Sequence, residues 1–160
     1  MTLIIETGTG KTDSQTYISE IEMTAYAAAR GITIVGDVSV LLLRAALYVE
    51  GLSFIGLKNT KEQAMQFPRL NAYIDDFAIL TTEIPQLLKD LQAEVSIAIG
   101  NANDPLATVE RAVKKEKVDK IEVEYQDNAA PFVYNLRIKS LERKLVTSGS
   151  GTSSFSVSRG

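Results

Sequence analysis

Residues 82–99 read TEIPQLLKDLQAEVSIAI, and how they fold sets the rest of the chain. Thr82 is a good helix cap, Glu83 favours the positive N-terminal end, and Pro85 is tolerated in a first turn. Ile84, Leu87, Leu88, Leu91, Val95, Ala98 and Ile99 then recur as one apolar stripe. The turn-rich residues 100–104 and Pro105 end it. This is the clearest helix of the sequence.

Further helices are legible on both sides of it. Ser19 and Glu22 have the spacing of a capping box, Ile21, Ala25 and Ala28 follow at helical spacing, and Gly31 is a stop, which predicts a helix near 19–30. Asp37 caps a second over 38–50, with Leu41, Ala45 and Tyr48 on one side and Val38, Leu42 and Val49 widening the stripe. That breadth marks a central helix. Thr60 caps a short helix over 61–66, closed by Pro68. Residues 132–146 return to helical spacing, with Val133, Leu136, Leu141 and Leu145 as core positions. Residues 121–125, IEVEY, alternate strictly and read as one arm of a hairpin near 109–125 that turns at Asp119-Lys120. Residues 3–5 are a short extended piece ahead of a Gly/Thr loop. The expected fold is mainly α, a four- to five-helix bundle with one β-hairpin. A helical domain over 1–146 is followed by an extended Ser/Gly-rich C-terminal arm over 147–160.

Composition limits the chemistry. The chain has 160 residues, 45% of them hydrophobic, enough for one domain with a real core. Cysteine and histidine are absent, which removes disulfides, Cys/His metal sites and every histidine general base. No cofactor, metal or catalytic residue is expected, and the chain reads as a non-enzyme. The longest apolar run, 38–49, holds Arg44 and falls short of the roughly 20 residues that span a bilayer. Residues 1–5 are too short for a signal-peptide core, so a soluble protein is expected.

Gly8-Thr-Gly-Lys-Thr12 is the one enzyme-like run. A phosphate loop needs Gly-x-x-x-x-Gly-Lys-Ser/Thr, and its first glycine would fall at Ile5. The run reads as a surface loop. Glu20 with Glu22 and Glu122 with Glu124 are acidic pairs that fit solvated faces better than a cation site, and Asp75-Asp76 looks like turn chemistry. The stretch 110–120 mixes signs: Lys114, Lys115, Lys117 and Lys120 stand among Glu110, Glu116 and Asp119. Such a hairpin, with Glu122 and Glu124 on its second arm, suits charge pairing with a neighbouring subunit. Residues 137–160 hold Arg137, Lys139, Arg143, Lys144 and Arg159 against Glu142 alone, a net +4 that leaves −7 of the formal −3 elsewhere. That asymmetry suits head-to-tail contact between copies or docking on an acidic partner, and equally a solvated basic face. In the arm, Phe155 and Val157 alternate with serines, a pattern for a strand added to a sheet edge.

The runs AYAAARG at 25–31, QAMQFPR at 63–69, IPQLLK at 84–89 and VKKEKV at 113–118, continuing to IEVEY, resemble a family of short tailed-phage proteins described as DnaT-like single-stranded-DNA-binding proteins. Phe67 stands where the family often has Trp, and Asp119 where Gly is frequent. The order of helices, hairpin and arm is also similar to phage head-to-tail adaptor proteins. That likeness implies a structural virion protein at the neck, a ring of about twelve copies that joins the portal protein to a downstream neck or tail protein. It implies synthesis in the host cytoplasm and DNA passing through the lumen without specific binding. Arg137, Lys139, Arg143, Lys144, Phe155, Val157 and Arg159 would meet the portal or a neighbour, and the hairpin residues the next copy. The alternative is a single-stranded-DNA-binding module that uses the hairpin lysines with Tyr125 as a stacking platform.

Overall fold

The computed structural model describes residues 2–106 and 135–146 fully, and the backbone of 113–117 and 122–125. In chain order the elements are α1 (Glu20–Ala28), α2 (Val38–Glu50), β1 (Leu57–Lys58), β2 (Arg69–Leu70), β3 (Tyr73–Ile74), β4 (Phe77–Ala78), α3 (Gln86–Gly100), β5 (Val113–Lys117), β6 (Glu122–Tyr125) and α4 (Leu136–Leu145). Among the described residues, strands pair only with their sequence neighbours, giving three two-stranded antiparallel sheets: β1–β2, β3–β4 and β5–β6.

The expected bundle with a single hairpin is therefore corrected. The β5–β6 pair lies where a hairpin was expected; β1–β2 and β3–β4 were not foreseen, and the helix over 61–66 does not form. Gln63 explains the second point. Its buried side chain donates to the carbonyls of Met65 (2.8 Å) and Pro68 (3.1 Å) and accepts from the Thr60 N–H (2.9 Å). A side chain thus takes over backbone groups that a helix would have satisfied. In β3–β4 the turn residues Asp75 and Asp76 have φ of 49° and 67°, the left-handed pair of a tight hairpin turn that aspartate tolerates.

Helix starts follow local chemistry. The capping box at Ser19 and Glu22 is formed, and Asp37 caps α2 through the Val40 N–H. Thr82, by contrast, caps nothing: α3 begins four residues later with Pro85 at its N-cap, because proline pushes the residue before it out of helical conformation. α4 begins at Leu136 behind an Asn135 cap, and residues 132–134 lie outside the described residues. Two stripes are also corrected. α1 buries Met23 and Ala27 and leaves Ile21 81% exposed; α4 buries Ile138, Leu141 and Leu145 and leaves Leu136 83% exposed. The turn at Asp119-Lys120 and the arm 147–160 lie outside the described residues.

α3 is the axis. From Leu91 to Ile99 every residue is buried, with α2, α4 and α1 packed around it. The main core joins Leu41, Ala45 and Val49 of α2 to Leu88, Leu91 and Val95 of α3 and to all three buried α4 residues, with Tyr17, Phe54 and Phe67 closing one end. A smaller cluster of Ile18, Met23, Leu42, Ala93 and Ile97 seats α1. Gly100 lets the chain pass close: a Cβ there would lie 2.6 Å from the Val35 carbonyl.

Within this apolar axis sits one fully buried amide. Gln92 accepts from the Tyr17 N–H (2.9 Å) and donates to Thr16 Oγ1 (2.8 Å) and to the Leu42 carbonyl (3.0 Å). It ties the N-terminal segment and α2 to α3. Replacing Gln92 by Leu keeps the volume but strands the buried Tyr17 N–H, which should cost about 1–3 kcal/mol in urea unfolding. An unchanged midpoint would show that the amide holds nothing together.

Candidate functional site

The glycine run folds around an anion that the chain supplies itself. Glu6 is 1% exposed, and its Oε1 accepts from the N–H groups of Gly8 (2.8 Å) and Gly10 (3.0 Å). Its Oε2 accepts from the Lys11 N–H (2.8 Å) and the Ser14 hydroxyl (3.1 Å). Gly8 and Gly10 have φ of 102° and 70°, which turns successive N–H groups inward as a nest. A nest of this kind binds phosphate in nucleotide loops; here the Glu6 carboxylate fills it. Lys11 points its ammonium at the Ile5 carbonyl, 2.6 Å away. Burial pushes the Glu6 carboxyl up, but the bonds from Lys11, Gly8, Gly10 and Ser14 outweigh it and hold its pKa below the usual value. Nothing in the sequence reading marked Glu6; an acid two residues before a Gly-x-Gly turn is the signal that was present.

Two other groups with shifted pKa values serve structure. Tyr17 donates to Glu50 and accepts from the Phe67 N–H (3.1 Å), while Glu50 also accepts from the Gln66 N–H (2.8 Å). Burial raises both their pKa values. Arg69 donates to the carbonyls of Ile55 (2.7 Å) and Gly56 (2.7 Å) and to Gln66 Oε1 (2.9 Å), pinning the loop between α2 and β2. Among the described residues no cluster of three or more acidic, His or Cys groups could hold a metal, and no helix is long and apolar enough to cross a membrane.

The cations picked out from the sequence divide into two sets. On α4, Arg137 and Lys144 lie beside the buried stripe and reach Asp90 of α3 (3.4 Å) and Asp75 of the β3–β4 turn (2.6 Å). Lys139 and Arg143 stand on the exposed side opposite Ile138, Leu141 and Leu145. On β5, Lys114, Lys115 and Lys117 share the hairpin with Glu122 and Glu124 of β6. The register sets Lys115 opposite Glu124 and Lys117 opposite Glu122. Lys120, Phe155, Val157 and Arg159 lie outside the described residues.

The sequence reading missed an apolar surface. The β3–β4 ribbon is prolonged by the Ile79 N–H bonding to the Ala72 carbonyl (2.9 Å). One face seats Ala72, Ile74 and Ile79 toward the core. The other carries Ala78 between Tyr73, 54% exposed, and Leu80, 66% exposed, and Phe77 stands at the tip, 79% exposed. The run YIDDFA, two apolar residues on each side of a two-residue aspartate turn, carried this signal.

A family model with the description "Putative DnaT-like ssDNA binding protein" matches residues 1–160. No curated protein and no solved structure matches the chain.

The nest makes a pH prediction. Glu6 has a folded pKa below its unfolded value, so its stabilisation is present above the ordinary value of 4.5 and is lost as pH falls through the folded value. Glu6→Gln should lower the melting temperature at neutral pH and flatten the acid limb of the stability curve. Equal acid limbs in the two proteins would refute the internal-anion reading.

Proposed function

The chain belongs to the DnaT-like family whose model spans all of it, and on that premise we propose that it is a non-enzymatic binding protein whose ligand is single-stranded DNA. The family match carries this reading. The residues that would meet the strand are Lys114, Lys115, Lys117 and Lys120 of the hairpin, with Tyr125 as the stacking surface and the outward Lys139 and Arg143 of α4 as further phosphate contacts. The glutamates opposite Lys115 and Lys117 temper that surface, so affinity is modest and set by charge. Anisotropy of a labelled oligothymidylate should rise on adding the protein at low salt, fall steeply as salt increases, and drop with Lys114→Glu plus Lys117→Glu. No binding at low salt sinks this reading.

A second reading is favoured by one specific observation, the large apolar side chains left on the surface. Ile21 (81%), Leu47 (68%), Phe77 (79%), Leu80 (66%) and Leu136 (83%) are exposed on α1, on α2, on β4, on the loop that follows it and on α4. A subunit that meets neighbours on several sides has use for such positions. In this reading the chain is a structural subunit of a phage neck ring, in contact with the portal, with its own copies and with a downstream neck or tail protein. Negative-stain images of the protein mixed with its portal should then contain rings. Particles of the portal alone, with this chain left in the free fraction, would dismiss it.

A further inference from the structure

The β3–β4 ribbon has an open edge as well as an apolar face. Ala72 and Ile79 form a hydrogen-bonded pair, so by the alternation of antiparallel ladders the next pair, Tyr73 and Ala78, turns its N–H and C=O groups outward. On the β4 side this edge offers the Ala78 N–H and C=O and the Leu80 N–H. Beside it lies a cavity of about 340 Å³ between the ribbon and the start of α3, lined by Phe77, Ala78, Glu83, Pro85, Gln86 and Leu87. Asp75, Asp76 and Glu83 make the rim acidic.

We propose that residues 154–159 of the same chain dock in this groove as a third, antiparallel strand on the β4 edge. Three observations choose this occupant. The first is register. With Val157 opposite Ala78, Phe155 falls opposite Leu80 and Arg159 beside Asp76. Opposite residues share a face. Both apolar residues of the arm then join Tyr73 and Leu80 on the exposed apolar face, and its one cation meets the carboxylates of the turn. The second is reach. Lys144 bonds Asp75, so α4 ends beside the ribbon turn. The eight residues between Val146 and Phe155 span up to about 26 Å when extended, and the arm from Asp76 to Leu80 is only about 13 Å long. The third is concentration. A segment tethered so close is present at an effective concentration in the millimolar range, which outcompetes a second copy in dilute solution. The arm thus caps an edge that would otherwise pair with other chains. This inference rests on neither reading of function, and a docked arm would close Leu80 to the neighbouring subunit that the assembly reading places there.

Amide exchange on the full-length chain tests it. The Ala78 and Leu80 amides should exchange slowly, and that protection should be lost in a chain ending at residue 146 and in Phe155→Asp, with the helical circular dichroism unchanged. A second measurement uses the absence of native cysteine. Ala78→Cys with Val157→Cys should oxidise to an intramolecular disulfide at low protein concentration, the opposed Cα atoms lying within disulfide reach. Fast exchange at Ala78 and Leu80 in the intact chain overturns the proposal. So does a cross-link that forms only between molecules and grows with protein concentration, which would make a second copy the occupant.

Discussion

Gln92 ties the N-terminal segment and α2 to the middle of α3, bonding the Tyr17 N–H, the Thr16 hydroxyl and the Leu42 carbonyl without a water-exposed atom. Apolar burial around α3 is non-directional and would tolerate several placements of the N-terminal segment. A buried amide with three fixed partners does not. The N-terminal segment therefore enters the core at one register, which buries Tyr17 against Phe67 and starts α1 at Ser19. The Tyr17 hydroxyl extends the same constraint to Glu50 and the Phe67 backbone, so the loop ahead of β2 is placed by the same chain of contacts.

The N-terminal loop follows the same logic in charged form. Converging N–H groups at Gly8, Gly10 and Lys11 would be costly to bury unpaired. Glu6 satisfies them and is satisfied by them. The arrangement uses the physics of a phosphate loop for folding, and the ligand is part of the chain. A cavity beside this loop is lined by Glu6, Glu22 and Glu83, and its one cation, Lys89, pairs with Glu22 at 3.0 Å. A phosphate would meet more repulsion there than attraction.

The cations proposed to meet DNA all lie in the C-terminal half of the chain. On α4 the cations have separate tasks: Arg137 and Lys144 anchor the helix to Asp90 and Asp75, and Lys139 and Arg143 face outward. The exposed apolar positions have no such anchor. The proposed single-strand binding would draw on the cations, and the proposed assembly on the apolar positions. The two demands fall on different residues, so substitutions can separate them.

Local signals with short range were legible in the sequence. The Ser19–Glu22 box and the Asp37 cap each depend on a few consecutive residues, and both formed where the residues stand. The central place of α2 was legible too, because a stripe as broad as its own can be satisfied only by burial. The missing glycine at position 5 weakened the phosphate-loop reading, but it could not reveal that Glu6 fills the nest, since that depends on how the loop closes in three dimensions. What needed a partner distant in sequence was decided by the tertiary structure. Ile21 and Leu136 are as apolar as Met23 and Ile138, yet only the second pair faces α2 and α3, and helical spacing alone does not say which side of a short helix meets its neighbour. Gln63 overrode a plausible helix by bonding backbone across a turn. Composition set which chemistries were absent; the packing around one buried amide decided which surfaces remained to be used.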